Sequence, residues 1–390
     1  MPQPSREQMV LRHLYQMGGL TRSELAEKLG IRKNTVGTIC DALLSQGRIL
    51  KQDLERKRNS RVMLNPEAYF AVGVDHCVDI LRIALFDAAF SVVLRSEVAF
   101  EGQGQDIRVR MIVKCIREMI GRSGISTERI AGIGFSDFVP HNTGPGLRMK
   151  SVWMPDWGDI NIKADLERDL GLKACVMRCT DALAMAEHTM GSCRDGEPFC
   201  VVQLDKGIGL SVFRDGTFQT GSTGIFGEMG HTVCREGGDI CKCGNRGCLE
   251  TFAGTSAIVR KVRENIGNDP YFQTRDSSSD VTFDDIVSNA VEGNKLALLV
   301  LNEATKAIGD AIANVVNILG IMRVVLYGEL AKAGELLVQQ VTSSIRSHCI
   351  YPLNQTTRVW TSSLDPFASA AGAAHLVFER YVDAGADAQA

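Results

Sequence analysis

The sequence predicts an α/β protein that begins with a winged helix-turn-helix. Three observations carry that reading. Three short apolar-periodic segments and two strand-like runs occupy residues 1–65, and strand-like runs alternate with helical ones from there to the C terminus. Between Gly227 and Glu250, a glycine-punctuated loop gathers one histidine and three cysteines at the spacing of a metal site.

In the head, Arg6 to Met17 carries Met9, Val10, Leu14 and Met17 at helical spacing. Thr21-Arg-Ser-Glu24 is a capping-box pattern that opens a short helix through Leu25, Ala26 and Leu29, closed by Gly30. A third helix runs from about Lys33 to Gln46 and buries Val36, Ile39, Cys40 and Leu43. Two short helices joined by a tight turn read as a helix-turn-helix, which places Arg32, Lys33, Asn34, Thr35 and Thr38 toward double-stranded DNA. Arg48 to Lys51 and Arg61 to Leu64 form two strands of a wing whose tip, Glu55 to Ser60, carries Arg56, Lys57 and Arg58. With Arg61, these bases can contact phosphate or the minor groove. The bland alternative is a three-helix interaction module with solvated charges.

Charge separates head from body. Residues 1–65 hold twelve Lys/Arg against six Asp/Glu, a net of +6, while the remainder holds 31 against 40, a net of −9. A basic head on an acidic body points to nucleic acid at one end and a different partner at the other. A chain of 390 residues has room for two or three domains. It shows no apolar run of about 18 residues and no charged, apolar leader, so a cytoplasmic protein without a membrane segment is expected. The other nine of the twelve cysteines are scattered (Cys40, Cys77, Cys115, Cys175, Cys179, Cys193, Cys200, Cys234, Cys349), as suits buried thiols in a reducing compartment.

Asn65-Pro66 marks the head's boundary. Behind it, Ala71–Asp75, Leu81–Phe86 and Ser91–Val98 read as strands, Asp106–Arg122 as a helix, and Ile130–Phe135 and Cys175–Met177 as further strands. A second set begins with a hairpin, Cys200–Leu204 and Gly209–Phe213. A long helix, Leu296–Leu319, and a buried strand, Arg323–Tyr327, follow downstream.

The loop's potential ligands are His231, Cys241, Cys243 and Cys248. Three thiolates and one imidazole make the donor set of a closed, structural Zn2+ site with no place for a catalytic water, and Gly244 and Gly247 let the loop fold around the ion. A disulfide is the competing reading, but Cys-x-Cys is poorly suited to bridging itself. Fixing this loop fixes Glu228 and Glu250. Held rigidly, they can accept hydrogen bonds from neighbouring hydroxyls, as sugar recognition demands; otherwise they are two solvated acids.

Gly227-Glu-x-Gly-His231 and Cys241-x-Cys-Gly-x-x-Gly-Cys-x-Glu250 resemble the signature of the ROK family (repressors, open reading frames, kinases), and the likeness extends more weakly from about Ala71 to the C terminus. The resemblance implies a two-lobed actin/hexokinase-like fold with a ligand cleft. The domains would be a winged helix-turn-helix over 1–65, a first lobe over 66–182 completed by a C-terminal helix at about 366–382, and a second lobe with the zinc loop over 183–365. It also implies effector contacts from Asp181, at the family's catalytic aspartate, and from Glu228, His231 and Glu250. Where the family usually has asparagine four residues before a tryptophan, this chain has Trp153 before Trp157; Trp153 could stack on a pyranose or fill the pocket.

Family members include both kinases and repressors, and the phosphate turns decide between them. Kinases of this fold need Asp-x-Gly-x-Thr after the first strand, so that backbone amides reach phosphate. Here Asp75-His-Cys-Val-Asp79 lacks both the glycine and the threonine. The second turn, Asp205-Lys-Gly-Ile-Gly209, has lost its hydroxyl position to Lys206, and the third has Glu329 after Gly328. The expectation is a non-enzymatic regulator with no catalytic residues, a repressor of carbohydrate genes that binds operator DNA as a homodimer or dimer of dimers. A sugar or sugar phosphate would be its effector. The alternatives are a sugar kinase with degenerate ATP motifs and a regulator controlled by a protein partner.

Overall fold

A computed structural model describes residues 5–52, 60–100, 104–139, 154, 157, 160–222, 224–274 and 280–384. Helix α1 (Arg6–Met17) opens on a capping box between Ser5 and Gln8. Strand β1 (Leu20–Thr21) leads into α2 (Arg22–Leu29), where Thr21 and Glu24 form the predicted capping box and Gly30 closes the helix in the left-handed conformation. Helix α3 (Lys33–Ser45) follows, then β2 (Ile49–Gln52) and β3 (Arg61–Leu64). The wing is thus a three-stranded antiparallel sheet, β1-β3-β2. Val10, Leu14, Leu25, Val36, Cys40, Leu43, Ile49 and Val62 form the buried core of the head.

The body starts with β4 (Phe70–His76), β5 (Ile80–Asp87) and β6 (Val92–Ala99), an antiparallel meander. Helix α4 (Gln105–Ser123), β7 (Ile130–Asp137), α5 (Ile162–Leu170), β8 (Ala174–Arg178) and α6 (Cys179–Thr189) complete this part. β7 and β8 add in parallel, so the sheet order is β6-β5-β4-β7-β8.

The same plan then recurs. A meander of β9 (Phe199–Leu204), β10 (Ile208–Arg214) and β11 (Thr217–Phe218) is followed by α7 (Leu249–Ala253), α8 (Thr255–Asn265), α9 (Phe283–Val291) and α10 (Lys295–Leu319). Next come β12 (Arg323–Tyr327), α11 (Glu335–His348), α12 (Leu353–Thr356) and β13 (Arg358–Thr361), giving the order β11-β10-β9-β12-β13. Val300, Leu301, Ala304, Ile308, Ile312 and Val316 of α10 join one core with Val202, Val324 and Leu326 of this sheet. Two sheets of identical order, each a meander extended by two parallel strands, are the duplicated halves of the actin/hexokinase-like fold.

The last helix, α13 (Ala368–Ala384), packs on β4 and β7 of the first sheet. The approach is backbone to backbone. A Cβ at Gly73 would lie 2.1 Å from the Ala370 carbonyl oxygen, and one at Gly134 would lie 2.0 Å from that of Ala373. Gly372 of the helix comes as close to α6, where a Cβ would stand 1.8 Å from the Ala182 oxygen. The described residues of 1–141, 156–186 and 365–390 form one compact unit, and those of 187–364 belong to a second. Among the described residues, no helix is long and apolar enough to cross a membrane.

Two glycine substitutions test this packing. Gly134→Ala must push α13 off its sheet and is expected to cost about 1–3 kcal/mol. Gly121→Ala, in the exposed interior of α4 with nothing within 4 Å of the new methyl, should instead stabilise by up to about 1 kcal/mol. Urea unfolding midpoints that move the same way in both variants would contradict the packing described.

Candidate functional site

The metal loop hangs from the second sheet. Gly227, at φ +72°, passes so close to β10 that a Cβ would lie 1.9 Å from the Leu210 oxygen, and its own carbonyl accepts from Leu210 N at 2.8 Å. A single helical turn, Met229–His231, then delivers the histidine. Cys241 N donates to Asn245 O at 2.7 Å and Gly244 N to Cys241 O at 2.9 Å, closing a knuckle around Cys241 and Cys243. Cys248 sits immediately before α7.

These elements bring all four predicted ligands together, with their donor atoms within 4.8 Å of one another. His231 Nδ1 lies 3.6 Å from Cys241 Sγ, and Cys243 Sγ lies 3.7 Å from Cys248 Sγ. A tetrahedron with metal–sulfur bonds of about 2.3 Å has edges of roughly 3.8 Å between sulfurs. The group therefore fits a tetrahedral ion, to which His231 would offer Nδ1, the nitrogen that faces Cys241.

Glu250, in the first turn of α7, is buried, and its Oε2 accepts from Ile208 N at 3.3 Å. Burial holds its carboxyl above the usual range, and the neighbouring Glu228 pushes the same way. Glu228 itself is exposed. In the other unit, Asp181 lies in the first turn of α6 and is buried. Its carboxylate is held by two hydrogen bonds that the sequence reading missed: Arg178 Nε donates to Oδ2 at 2.9 Å, and Nη2 to Oδ1 at 2.7 Å. Trp153 lies outside the described residues. Trp157 is fully buried, and its Nε1 donates to Asp137 Oδ2 at 2.8 Å.

The weakened phosphate turns are bonded to the protein's own groups. At the first, His76 Nδ1 lies 3.1 Å from Asp137 Oδ1, inside a ring of Phe100, Phe135, Phe138 and Trp157. Arg108 Nη1 caps the turn by donating to Val78 O at 2.7 Å. The second and third turns meet through Asp205, whose Oδ1 accepts from Glu329 N at 2.6 Å and whose Oδ2 accepts from Gln203 Nε2 at 2.9 Å. A carboxylate thus takes the backbone amide that a phosphate would use. Beside it, a cavity of about 610 Å³ is lined by residues including Lys206, Arg260, Arg263, Phe283 and Glu329.

In the head, Arg32, Lys33, Asn34 and Thr38 are exposed at the start of α3, and Thr35 is half-buried. Arg61 is exposed on β3, 3.8 Å from Glu24. Arg56, Lys57 and Arg58 lie outside the described residues. α1 rests on α13: Tyr15 and His375 Nδ1 are 2.6 Å apart, with Phe90 and Phe378 against the Tyr15 ring. Burial, reinforced by Glu379, raises the Tyr15 phenol well above its usual range. The other ring nitrogen of His375, Nε2, lies 3.4 Å from Glu379 Oε1.

Comparison with known proteins agrees with this geometry. A profile described as "ROK family" matches residues 71–380, and one described as "MarR family" matches residues 5–58. The chain is 23% identical over 386 residues to the xylose repressor of Bacillus spizizenii, spanning 97% of this chain and 96% of that protein. It is 26% identical over 374 residues to the DNA-binding transcriptional dual regulator NagC of Escherichia coli, spanning 94% and 91%. The crystal structure of a ROK family transcriptional regulator, described as a homolog of E. coli Mlc, superposes with a TM-score of 0.82 at 22% identity, over 97% of this chain and 96% of the other.

Elemental analysis of the purified chain should find one tightly held metal ion. Cys243→Ser should release it and lower the melting temperature, because site formation contributes folding free energy. An unchanged melting temperature in a chain that contains no metal would rule the site out.

Proposed function

The chain belongs to the ROK family, and from that premise we propose that it is a sequence-specific, DNA-binding transcriptional regulator, a repressor of carbohydrate uptake or metabolism genes whose effector is a sugar or sugar derivative. The observation that carries this reading is the pairing, in one chain, of a winged helix-turn-helix with a ROK body whose phosphate turns bond backbone amides internally, Glu329 N to Asp205 and Cys77 N to Ile80 O. A kinase needs those amides for ATP; a regulator does not. The names of the relatives, a xylose repressor and a dual regulator, support the same reading.

In this reading residues 1–65 are the DNA-binding domain, 66–182 with 366–382 the first lobe, and 183–365 the second. Arg32, Lys33, Asn34, Thr35 and Thr38 face the major groove, with Arg56, Lys57, Arg58 and Arg61 on the wing. The bound ion is Zn2+, one per chain, held by His231, Cys241, Cys243 and Cys248. Its role is to hold Glu228 and Glu250 where, with His231, they accept sugar hydroxyls; Asp181 and Trp153 complete the effector site. The protein works in the cytoplasm as a homodimer or dimer of dimers, since a two-fold assembly presents two recognition helices to half-sites about one helical turn apart.

The route from effector to head is α13. Gly372 lies against Ala182, the neighbour of Asp181, and one turn further on His375 meets Tyr15 of α1. A shift of α6 on effector binding is transmitted to the head by that rigid helix. A second reading, control by a protein partner, is favoured by one observation: Arg178 already satisfies both oxygens of Asp181.

Thermal-shift screening against hexoses, pentoses and their phosphates decides between the two. A ligand at 100 times its Kd adds about 2.7 kcal/mol of stability. At least one sugar should therefore raise the melting temperature, and none should release ADP from ATP and Mg2+. No shift with any sugar would favour the partner reading, and Asp181-dependent ADP release would overturn the regulator.

The sugar's effect on DNA affinity should fall in the roughly 5- to 150-fold range typical of allosteric coupling, and His375→Ala should leave sugar binding intact yet cut that effect to less than about a third of the wild-type factor. Fluorescence titrations of DNA with and without the sugar measure this. A wild-type response would exclude α13 as the route.

A further inference from the structure

The exposed face of α3 carries Asn34, Thr38, Asp41 and Ser45, spaced four, three and four residues apart, opposite buried Val36, Cys40 and Leu43. Asn34 and Thr38 are expected to face DNA, so Asp41 places a carboxylate, 65% exposed, on the same stripe. In a head with a net charge of +6, that is the one acid on the stripe. Unpaired, it would repel the phosphates that the surrounding bases attract.

Asp41 is paired. Arg22, the first residue of α2, reaches across the helix-turn-helix, and its Nη2 donates to Asp41 Oδ1 at 2.6 Å. Among the described residues, Asp41 is its one hydrogen-bond partner. Gly37, one turn before Asp41, leaves a bare strip of helix beneath the guanidinium: a Cβ there would lie 3.9 Å from Arg22 Nη1, and any longer side chain would crowd it. The guanidinium therefore lies beside α3, 36% exposed, and Asp41 uses only one of its five donors.

We propose that Arg22 and Asp41 form one DNA-contacting element, in which Asp41 orients Arg22 to bind a backbone phosphate at the edge of the groove that receives α3. The inference rests on the DNA-binding reading above and adds a contact absent from its residue set. The first helix of such a motif crosses the backbone while the second enters the groove, so an arginine that starts the first and lies over the second falls where the phosphates run. A phosphate contact there fixes the register of Asn34 and Thr38 on the bases. Holding the guanidinium in place before binding reduces the ordering cost of the contact.

A plain surface ion pair joining α2 to α3 would contribute little to folding and nothing to DNA affinity. The sign of one substitution separates the two cases. Removing an acid from a DNA-facing surface ordinarily tightens binding; removing one that orients a phosphate-binding arginine weakens it. The probe is the duplex enriched by the full-length wild-type chain from a randomised library, titrated at several salt concentrations.

Arg22→Ala should weaken binding about tenfold and lower the slope of log K against log salt by about 0.9. Asp41→Ala should weaken binding about threefold in the wild-type background, yet tighten it in the Arg22→Ala background, where only repulsion remains. Melting temperatures of all three variants should match the wild type, both side chains being exposed. Tighter binding by Asp41→Ala in both backgrounds, or an unchanged affinity and salt slope in Arg22→Ala, would overturn the proposal while leaving DNA binding intact. A wild-type chain that enriches no duplex would instead overturn the DNA-binding reading, and this contact with it.

Discussion

The contact on which the rest depends is that of α13 with the first sheet. Gly73 and Gly134 clear the floor so that the helix backbone at Ala370 and Ala373 can rest on it, and Gly372 allows the same approach to α6. Even a Cβ at these points would meet a backbone oxygen at 2.1, 2.0 or 1.8 Å, so the helix would have to move away. Because the approach is backbone to backbone, α13 has no rotamers with which to absorb a displacement. It fastens the C-terminal end of the chain to the strands that follow the head, and through His375 and Tyr15 to the head itself. The head is therefore seated on α13 as well as joined to the body by the chain itself.

Regulator and kinase differ here by which atoms fill equivalent places. The carboxylates suited to sugar hydroxyls are retained, and the metal loop that holds two of them has the four donors of a tetrahedral ion. Backbone amides at these turns are bonded internally: Glu329 N to Asp205, and Cys77 N to Ile80 O.

Much of this was legible in the sequence where the signal is local. The limits of α1 and α2 follow from helical periodicity and from the Thr21–Glu24 capping box, and the metal ligands lie within one loop. β1 escaped notice because two residues have no period to detect. Arg178 could have been suspected, standing three residues before Asp181 across a strand-to-helix turn. The partnerships of His76 with Asp137 and of Asp205 with Glu329 could not: they join positions 61 and 124 residues apart, and only the topology of the two sheets brings them together. Arg22 and Asp41 fall between these cases. They are 19 residues apart, yet the turn between α2 and α3 folds one onto the other.

The central claim is that sugar and DNA bind one chain and influence each other through it. Linkage makes that influence reciprocal, so the most direct measurement is a calorimetric titration of the stabilising sugar into the free protein and into its complex with the enriched duplex. The account predicts that the two sugar affinities differ by about 5- to 150-fold, and by the same factor with which the sugar changes affinity for DNA. Equal sugar affinities in the presence and absence of DNA would contradict it.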